Sequence, residues 1–431
     1  MKSFLPLSFL IILSASAQEK SDLFIYGDLL PDAPKLSERG PYTIGVRTLE
    51  VIHKNQVDIL NRVDNEDVFY DRPLTLEVWY PSAIDKNETP IEVYHEVMGS
   101  KNDPKRPLIP FTFLGRALRD ATPLKSSERF PLIIVSHGYP GSRYLLTNIT
   151  ENIASKGYVV VAIDHTDSTF KDVTAFSSTL LNRSMDVLYV LNEISKMNRL
   201  KNHFLYSYVD TDRTGLIGYS LGGCGVLNIG GAGYSPTSVD FFKRMTKGSR
   251  VLEKQMIGNS SYEASIDSRI KAIVAIAPWG MENNLWNMEG LKGLKIPTLF
   301  IAGNKDDISG YKKGTKAIYE GAINSDRYLL TYENARHNVA PNPAPVEALK
   351  KGLDINEYLR YADSVWDQRR INNINQHFIT AFLGIKLKNK AEYLPYLGVA
   401  KIKTQSQWEG FKSRTSVGLQ LDYSPSQNVE K

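Results

Sequence analysis

The segment Gly218-Tyr219-Ser220-Leu221-Gly222 has the spacing of a serine nucleophile flanked by two glycines. An apolar run, Thr214 to Gly218, precedes it, and a glycine-rich segment that could begin a helix follows it. A serine at such a strand-to-helix turn presents its hydroxyl above the sheet edge, and the glycines permit the strained turn and the closely packed helix. The pattern alone is weak evidence, because it arises by chance about 0.2 times in a chain of this length. Ser220 is therefore a candidate nucleophile whose partners must lie elsewhere in the chain.

A serine hydroxyl is a poor nucleophile at neutral pH, so it needs a general base that is oriented by a carboxylate. If the three residues follow the order serine, acid, histidine, only two of the seven histidines are available, His337 and His377. His377 lies in a predicted helix beside Phe378, where a surface or core position fits better. His337 comes just after the predicted strand Tyr328 to Tyr332, so we expect it in a loop that reaches back over the sheet edge.

Two adjacent aspartates, Asp306 and Asp307, follow the predicted strand Ile296 to Ala302. A carboxylate in the loop after this strand can meet a histidine in the loop after the next one. We favour Asp306 as the acid, because it stands three residues after the strand-end Gly303, as in related sites. Asp307 is the competitor, and both residues could instead be solvated turn residues.

The charge that develops on an ester carbonyl oxygen requires two backbone N–H groups directed at it. One is expected from Leu221, which follows the candidate nucleophile at a helix N-terminus. The other is expected from Tyr139, in the loop Ser136 to Gly141 after an earlier strand. His137 in the same loop precedes Ser220 in the chain, so we expect it to be a structural residue rather than the base.

The apolar pattern predicts an α/β fold with a mostly parallel central sheet. Continuous apolar runs are typical of strands buried on both faces, and they alternate with helical spacing. Two earlier alternating stretches predict antiparallel strands at one edge. The predicted strands are Tyr42 to His53, Leu74 to Tyr80, Leu132 to Val135, Tyr158 to Ile163, Thr214 to Gly218, Ile270 to Ala277, Ile296 to Ala302 and Tyr328 to Tyr332, and the predicted helices include Ser177 to Lys196 and a long terminal one over Ile355 to Leu383.

The domain organisation that we expect is one catalytic domain, residues 18–385, preceded by a signal peptide, residues 1–17. Residues 82–130 have little periodicity and several prolines, which indicates an insertion over one end of the sheet. Residues 226–267 exceed a plain helix connection and predict a small cap. Residues 386–431 form a C-terminal extension in which apolar and polar residues alternate over Ser416 to Tyr423. This extension is interpreted either as an extra strand or as a strap on the surface.

The composition excludes several classes of function. Residues 1–17 combine Lys2, an apolar run and Ala15-Ser16-Ala17, which is typical of an export signal and predicts a secreted or periplasmic protein. The single cysteine, Cys224, rules out an internal disulfide. The net charge is only +5 and the sequence has no cluster of basic residues, so no nucleic-acid partner is expected. The sequence has no further long apolar run, so no transmembrane segment is predicted. No motif predicts a metal or another cofactor, and the glycines lack the spacing of a nucleotide cradle.

The chain resembles the α/β-hydrolase superfamily. Within it, the chain is similar to bacterial dienelactone-hydrolase-like esterases related to the platelet-activating-factor acetylhydrolases. True dienelactone hydrolases have a cysteine where Ser220 stands. The residues that carry the resemblance are Gly45 to Leu49, Asp71 to Leu74, Glu77 to Pro81, Ser136 to Ser142, Ala154 to Tyr158, Asp164-His165, Gly218 to Gly223, Asp306-Asp307 and His337-Asn338.

These features predict a serine hydrolase that cleaves carboxylic esters through a Ser220–His337–Asp306 triad and an acyl-enzyme. The substrate would be a small-molecule or lipid-like ester. A phospholipase A2 or acetylhydrolase type of lipid esterase and a polyester hydrolase are alternatives within this class. A non-catalytic exported binding protein that keeps the hydrolase fold is the alternative outside it.

Overall fold

A computed structural model describes residues 24–84, 88–398 and 408–427 of the chain. The predicted signal peptide, residues 1–17, lies outside the described residues. None of the helices within these ranges is long and apolar enough to cross a membrane.

A central sheet of eleven strands dominates the fold, and a separate two-stranded hairpin lies beside it. The hairpin is formed by β3 and β4, and the other strands belong to the sheet. The strands are β1 (Ile44–Val63), β2 (Glu66–Ala83), β3 (Glu92–Met98), β4 (Ile109–Gly115), β5 (Leu118–Arg119), β6 (Thr122–Pro123), β7 (Phe130–Ser136), β8 (Val159–Asp164), β9 (Val209–Tyr219), β10 (Ile270–Ile276), β11 (Thr298–Gly303), β12 (Arg327–Tyr332) and β13 (Leu419–Ser424).

The strand order across the sheet is β13-β12-β11-β10-β9-β7-β8-β2-β1-β5, with β6 paired to β2. The six strands from β12 to β8 are parallel to one another, whereas β2 pairs antiparallel with both β8 and β1. Strand β13 adds antiparallel to β12 at the other edge. The carboxyl ends of the parallel strands therefore meet at one edge of the sheet, where binding sites form in such folds.

The parallel strands are apolar throughout because both of their faces are covered. Consecutive residues of β7 show this, since Ile133 contributes to the core on one face and Ile134 to the core on the other. Both side chains are fully buried. A continuous apolar run, rather than an alternating one, is thus what this position in the sheet requires.

Helices cover the two faces of the sheet. On one face, the helices Thr147–Ser155 and Gln368–Lys388 contribute Ile149, Ile153 and Phe378 to the core, and on the other face the helices Phe176–Met197 and Leu221–Ile229 contribute Leu180 and Leu227. The helices are α1 (Thr147–Ser155), α2 (Phe176–Met197), α3 (Leu221–Ile229), α4 (Pro236–Met245), α5 (Ser260–Ala264), α6 (Met288–Lys292), α7 (Lys316–Gly321), α8 (Ile355–Leu359) and α9 (Gln368–Lys388).

The predicted continuous helix Ile355 to Leu383 is wrong. The structure divides it into the short α8 and the long α9, separated by a loop. Each helix begins with its own aspartate cap. Asp354 accepts a hydrogen bond from the backbone N–H of Asn356, and Asp367 accepts from those of Arg369 and Arg370. The loop between the two helices becomes important for the site.

Three regions that the sequence set apart have regular structure. Within residues 82–130, β3 and β4 pair in an antiparallel hairpin. Within residues 226–267, α4 and α5 form a small helical region, and Arg62 of the β1–β2 hairpin donates to the carbonyl of Thr246 there. Within residues 386–431, the alternating stretch includes the edge strand β13.

Candidate active site

Ser220 occupies the sharp turn between β9 and α3, on the edge where the parallel strands end. Its backbone has φ 54° and ψ −115°, a strained conformation for a residue with a side chain. Helix α3 passes so close to β7 that a Cβ on Gly222 would lie 2.0 Å from the carbonyl oxygen of Ser136. Glycine at 222 is therefore required by the close approach, and the turn directs the Ser220 hydroxyl away from the sheet.

His337 and Asp306 complete a hydrogen-bonded chain with Ser220. The Nε2 atom of His337 lies 3.0 Å from the Ser220 Oγ, and its Nδ1 atom lies 3.0 Å from each carboxylate oxygen of Asp306. Asp306 follows β11 and His337 follows β12, so adjacent parallel strands deliver the two side chains to the same edge. All three residues are buried, with 7 to 9 % of their surface exposed.

Asp306 is held by its own loop. One carboxylate oxygen accepts hydrogen bonds from the backbone N–H groups of Ile308, at 2.9 Å, and Ser309, at 2.8 Å. Its neighbour Asp307 is exposed and pairs with the guanidinium of Arg336. Of the two aspartates that the sequence left as competitors, Asp306 is the one in contact with His337.

Leu221 follows Ser220 directly, and the loop that carries Tyr139 lies close to Ser220. Leu221 is the first residue of α3, where a backbone N–H has no acceptor within the helix. Tyr139 follows β7, and its N–H makes no hydrogen bond with any residue of the described ranges. A Cβ on Gly138 would lie 3.4 Å from the Cβ of Ser220, which shows how close this loop is to the serine. Two backbone N–H groups without an acceptor among the described residues are thus carried by the residue after Ser220 and by the loop next to it.

A cleft of about 280 Å³ opens above Ser220 and His337. Its lining comes from the loops after β7, β9, β11 and β12, from the loop between β3 and β4, and from α8 with the loop that follows it. The predicted cap, residues 226–267, contributes none of the lining residues found in the described ranges. The three cations in the lining are Arg106, Arg336 and Arg360. The sequence analysis did not find Arg360 because it placed this residue within a continuous helix.

The loop histidine His137 is fully enclosed and acts structurally. Its Nδ1 donates to the carbonyl of Gly138 at 2.6 Å, and its Nε2 accepts from the backbone N–H of His165 at 3.3 Å. Burial holds the pKa of His137 well below its usual value, and nearby Arg183 adds to the effect. A neutral ring that bridges two loops is what these contacts require, and His137 makes no contact with Ser220.

A second serine–histidine–aspartate set lies beneath the cleft. The Ser136 hydroxyl is 3.0 Å from His165 Nε2, and His165 Nδ1 is 2.9 Å from Asp186. Asp186 also forms an ion pair with Arg72 through both of its oxygens. Burial lowers the pKa of His165 to about 3, so the ring is neutral. The three side chains are at most 1 % exposed, and no substrate can reach this serine.

His377, the other histidine after Ser220, lies within α9 and is fully buried. Its Nδ1 accepts a hydrogen bond from the backbone N–H of Leu36 at 3.1 Å, and its ring packs against Phe378 and Phe411. Its role is to hold the N-terminal segment against the helix.

Within the described ranges, no group of three or more histidine, cysteine, aspartate or glutamate side chains could hold a metal ion.

Two family profiles match parts of the chain. The family described as "Platelet-activating factor acetylhydrolase, isoform II" matches residues 111–185, and the family described as "PET hydrolase-like" matches residues 243–367. The first match includes Tyr139 and the second includes Asp306 and His337, while Ser220 falls between them.

Curated relatives and one solved structure are also similar. The chain is 26 % identical over 219 residues to "Cutinase est1" from Thermobifida alba, which covers 51 % of this chain and 56 % of that protein. It is 28 % identical over 159 residues to "Platelet-activating factor acetylhydrolase" from Cavia porcellus, covering 32 % of each. The chain thus spans about half the length of the cutinase that it matches. A ferulic acid esterase from Streptomyces cinnamoneus superimposes with a TM-score of 0.52 and 18 % identity, covering 83 % of this chain and 94 % of that one.

Proposed function

The chain has the α/β-hydrolase fold and fits the serine-esterase family of that superfamily, and from this premise we propose that it hydrolyses carboxylic esters through an acyl-enzyme on Ser220. The observation that carries the proposal is the chain of hydrogen bonds from Ser220 through His337 to Asp306 at the base of an open cleft. The esterase and cutinase relatives support the same class of reaction.

The acylation step begins when the Ser220 hydroxyl attacks the ester carbonyl carbon and His337 Nε2 accepts the hydroxyl proton. Asp306 accepts a hydrogen bond from His337 Nδ1, which keeps Nε2 free of a proton beforehand and stabilises the imidazolium afterwards. The negative charge on the tetrahedral intermediate is stabilised by the N–H groups of Tyr139 and Leu221. The intermediate then collapses, and His337 returns the proton to the departing alcohol.

Deacylation repeats the sequence with water. His337 Nε2 removes a proton from a water molecule that attacks the acyl carbon, and the same two N–H groups stabilise the second intermediate. The carboxylic acid leaves as the proton returns to the Ser220 oxygen. No metal or cofactor takes part in these steps, because each proton moves between the serine, the histidine and the substrate.

The nucleophile is tested with a fluorophosphonate probe, which forms a covalent bond with an activated serine. Wild-type protein should be labelled at Ser220, as located by peptide mass spectrometry, and should hydrolyse short p-nitrophenyl esters. Ser220→Ala should lose both properties while its thermal unfolding stays close to that of the wild type. A folded wild-type protein that neither reacts with the probe nor cleaves these esters would be the non-catalytic alternative.

The acyl preference is a separate question. Relatives named cutinase and platelet-activating factor acetylhydrolase support polyester and lipid esters, respectively, as candidate substrates. A series of p-nitrophenyl esters of increasing acyl length, followed by short-chain phospholipids and a polyester film, separates these classes by their relative kcat/KM values.

The proposed cellular location is outside the cytoplasm, on the strength of the export pattern in residues 1–17. The test is N-terminal sequencing of the protein after expression with the full leader. Cleavage after Ala17 and recovery from the periplasm or medium would support export, and an intact N-terminus in the cytoplasmic fraction would refute it.

A further inference from the structure

Three arginines line the cleft, but only two of them have a carboxylate partner among the described residues. Arg336 pairs with Asp307, and Arg106 pairs with the buried Glu357. Arg360 has no carboxylate oxygen within 4.0 Å in the described part of the chain. The cleft therefore contains one guanidinium whose positive charge is not balanced by a direct neighbour.

Arg360 is placed next to the loop that carries Tyr139. One terminal nitrogen of its guanidinium donates to the carbonyl oxygen of Pro140 at 3.3 Å, and the group lies 5.2 Å from the centre of the Phe170 ring. Its Nε atom is buried and has no hydrogen-bond partner. One hydrogen bond to a carbonyl uses only a small part of a group that has five donors.

The surroundings of Arg360 disfavour a lone positive charge. Burial lowers its pKa and the positive charge of Arg106 lowers it further, while nearby Tyr361, Glu357 and Tyr219 offset only part of this lowering. Arg106 itself has a buried terminal nitrogen without a hydrogen-bond partner, so its pairing with Glu357 leaves a donor unused. Both side chains are partly exposed, but a buried donor without a partner is costly, and an anion in the cleft would supply a partner to both arginines.

We propose that Arg360, with Arg106 beside it, binds a carboxylate carried by the ester substrate at a distance from the scissile bond. The planar fork of a guanidinium matches the two oxygens of a carboxylate, and it is less suited to a neutral acyl chain. One unbalanced positive charge matches one negative charge. This inference rests on the proposed esterase function and adds the substrate class, namely esters that bear a free carboxylate.

Two other roles for Arg360 make different predictions. If it only anchors the Pro140 carbonyl, or if its charge only stabilises the oxyanion near Tyr139, its removal should slow charged and neutral esters by the same factor. If it binds a substrate carboxylate, its removal should slow the charged ester more. The ratio of kcat/KM for a charged ester to that for its neutral counterpart separates these roles.

The experiment uses two matched substrate pairs. In the first, para-acetoxybenzoate is compared with its methyl ester, so the charge lies on the alcohol side. In the second, mono-p-nitrophenyl adipate is compared with p-nitrophenyl hexanoate, so the charge lies on the acyl side. The ratio is measured for wild type, Arg360→Gln and Arg360→Lys, with Arg369→Gln as the control. Arg369 pairs with Asp367 at the start of α9 and does not line the cleft.

In Arg360→Gln, the charged-to-neutral ratio for at least one pair should fall about tenfold, equivalent to about 1.4 kcal/mol, and mainly through KM. Arg360→Lys should restore part of the preference because it keeps the charge without the fork. Arg369→Gln should leave the ratio unchanged. Comparing ratios between variants cancels the different intrinsic reactivities of the two esters, and raising the salt concentration should weaken the wild-type preference.

Equal losses on charged and neutral esters in Arg360→Gln would overturn the proposal, and so would a larger effect on a short-chain phospholipid than on either carboxylate ester.

A readout that needs no turnover is protection against the fluorophosphonate probe. Benzoate, but not benzamide, should slow labelling of the wild type and should fail to protect Arg360→Gln. If the wild-type protein itself showed neither labelling nor hydrolysis, the proposed esterase function would be wrong.

Discussion

Replacing Asp306 by asparagine should abolish the proposed esterase activity while leaving the protein folded. Two backbone N–H groups, from Ile308 and Ser309, point at one carboxylate oxygen and will keep an oxygen in that place. The new NH2 group must then occupy the other position, 3.0 Å from His337 Nδ1. It would donate to Nδ1, while the amide oxygen that stays 3.0 Å from Nδ1 is neutral and a weaker acceptor than the carboxylate. The ring proton then shifts to Nε2, where it blocks acceptance of the proton from Ser220. We expect kcat/KM to fall by about 10⁴-fold, as loss of the correct tautomer does in such triads.

That loss corresponds to about 5.5 kcal/mol of transition-state stabilisation. The assay is hydrolysis of p-nitrophenyl butyrate, with thermal unfolding as the check on the fold. Asp307→Asn is the matched control. It removes only an exposed ion pair with Arg336, worth about 0–1 kcal/mol, so we expect less than about a fivefold change. Asp306→Asn within tenfold of wild type, or Asp307→Asn as the more damaging change, would refute the assignment.

Three further substitutions probe other features. Gly222→Ala places a Cβ 2.0 Å from the Ser136 carbonyl oxygen, so the free energy of unfolding measured in urea should fall by about 3 kcal/mol and activity should be lost. A stable, active variant would contradict this geometry. Ser136→Ala should keep fluorophosphonate labelling and lose about 1–2 kcal/mol of stability, whereas probe attached to Ser136 would show that the buried set is reachable. Burial raises the pKa of Glu96 to about 7, above its ordinary 4.5, because burial disfavours the charged carboxylate. The contribution of Glu96 to the free energy of unfolding is therefore complete below pH 4.5, and it is lost as the pH rises through 7. Glu96→Gln should therefore gain about 2 kcal/mol relative to wild type between pH 5 and pH 8 in urea unfolding, and a difference independent of pH would refute this.

The predicted fold class is confirmed. It could be predicted because the sequence signals that determine it are local. Buried parallel strands need apolar residues on both faces, and this requirement is visible as continuous runs such as Leu132 to Val135. Chain order then limited the choice of histidine and acid. The identity of the catalytic residues stays a prediction until the variants are measured, although the structure brings Ser220, His337 and Asp306 into hydrogen-bond contact.

The β3–β4 hairpin was missed for a physical reason. Along β3 the inward-facing residues are Tyr94, Glu96 and Met98, so a buried glutamate interrupts the apolar alternation that signals a strand. Only tertiary contacts explain that choice, because Glu96 lies in a small enclosed site lined by residues distant in sequence, such as Ser142 and Tyr361.

The division between α8 and α9 was missed because both segments have helical spacing. The signals that could have found it are the two aspartates followed by free backbone N–H groups, Asp354 and Asp367. Recognising those caps would have placed Arg360 at the end of a short helix rather than within a long one. Its approach to the Pro140 carbonyl, 220 residues away in the chain, could not be read from local pattern.

Strand β13 affects how the protein is made. Until residues 419–424 pair with β12, the backbone of β12 forms an open sheet edge, and β12 carries the loop with His337. Synthesis proceeds from the N-terminus, so this pairing becomes available only after residues 419–424 have emerged from the ribosome. A nascent or C-terminally truncated chain would present a bare strand to other chains during that interval, which is a recognised route to aggregation. Residues 419–424 thus cover the edge strand that carries the loop with His337.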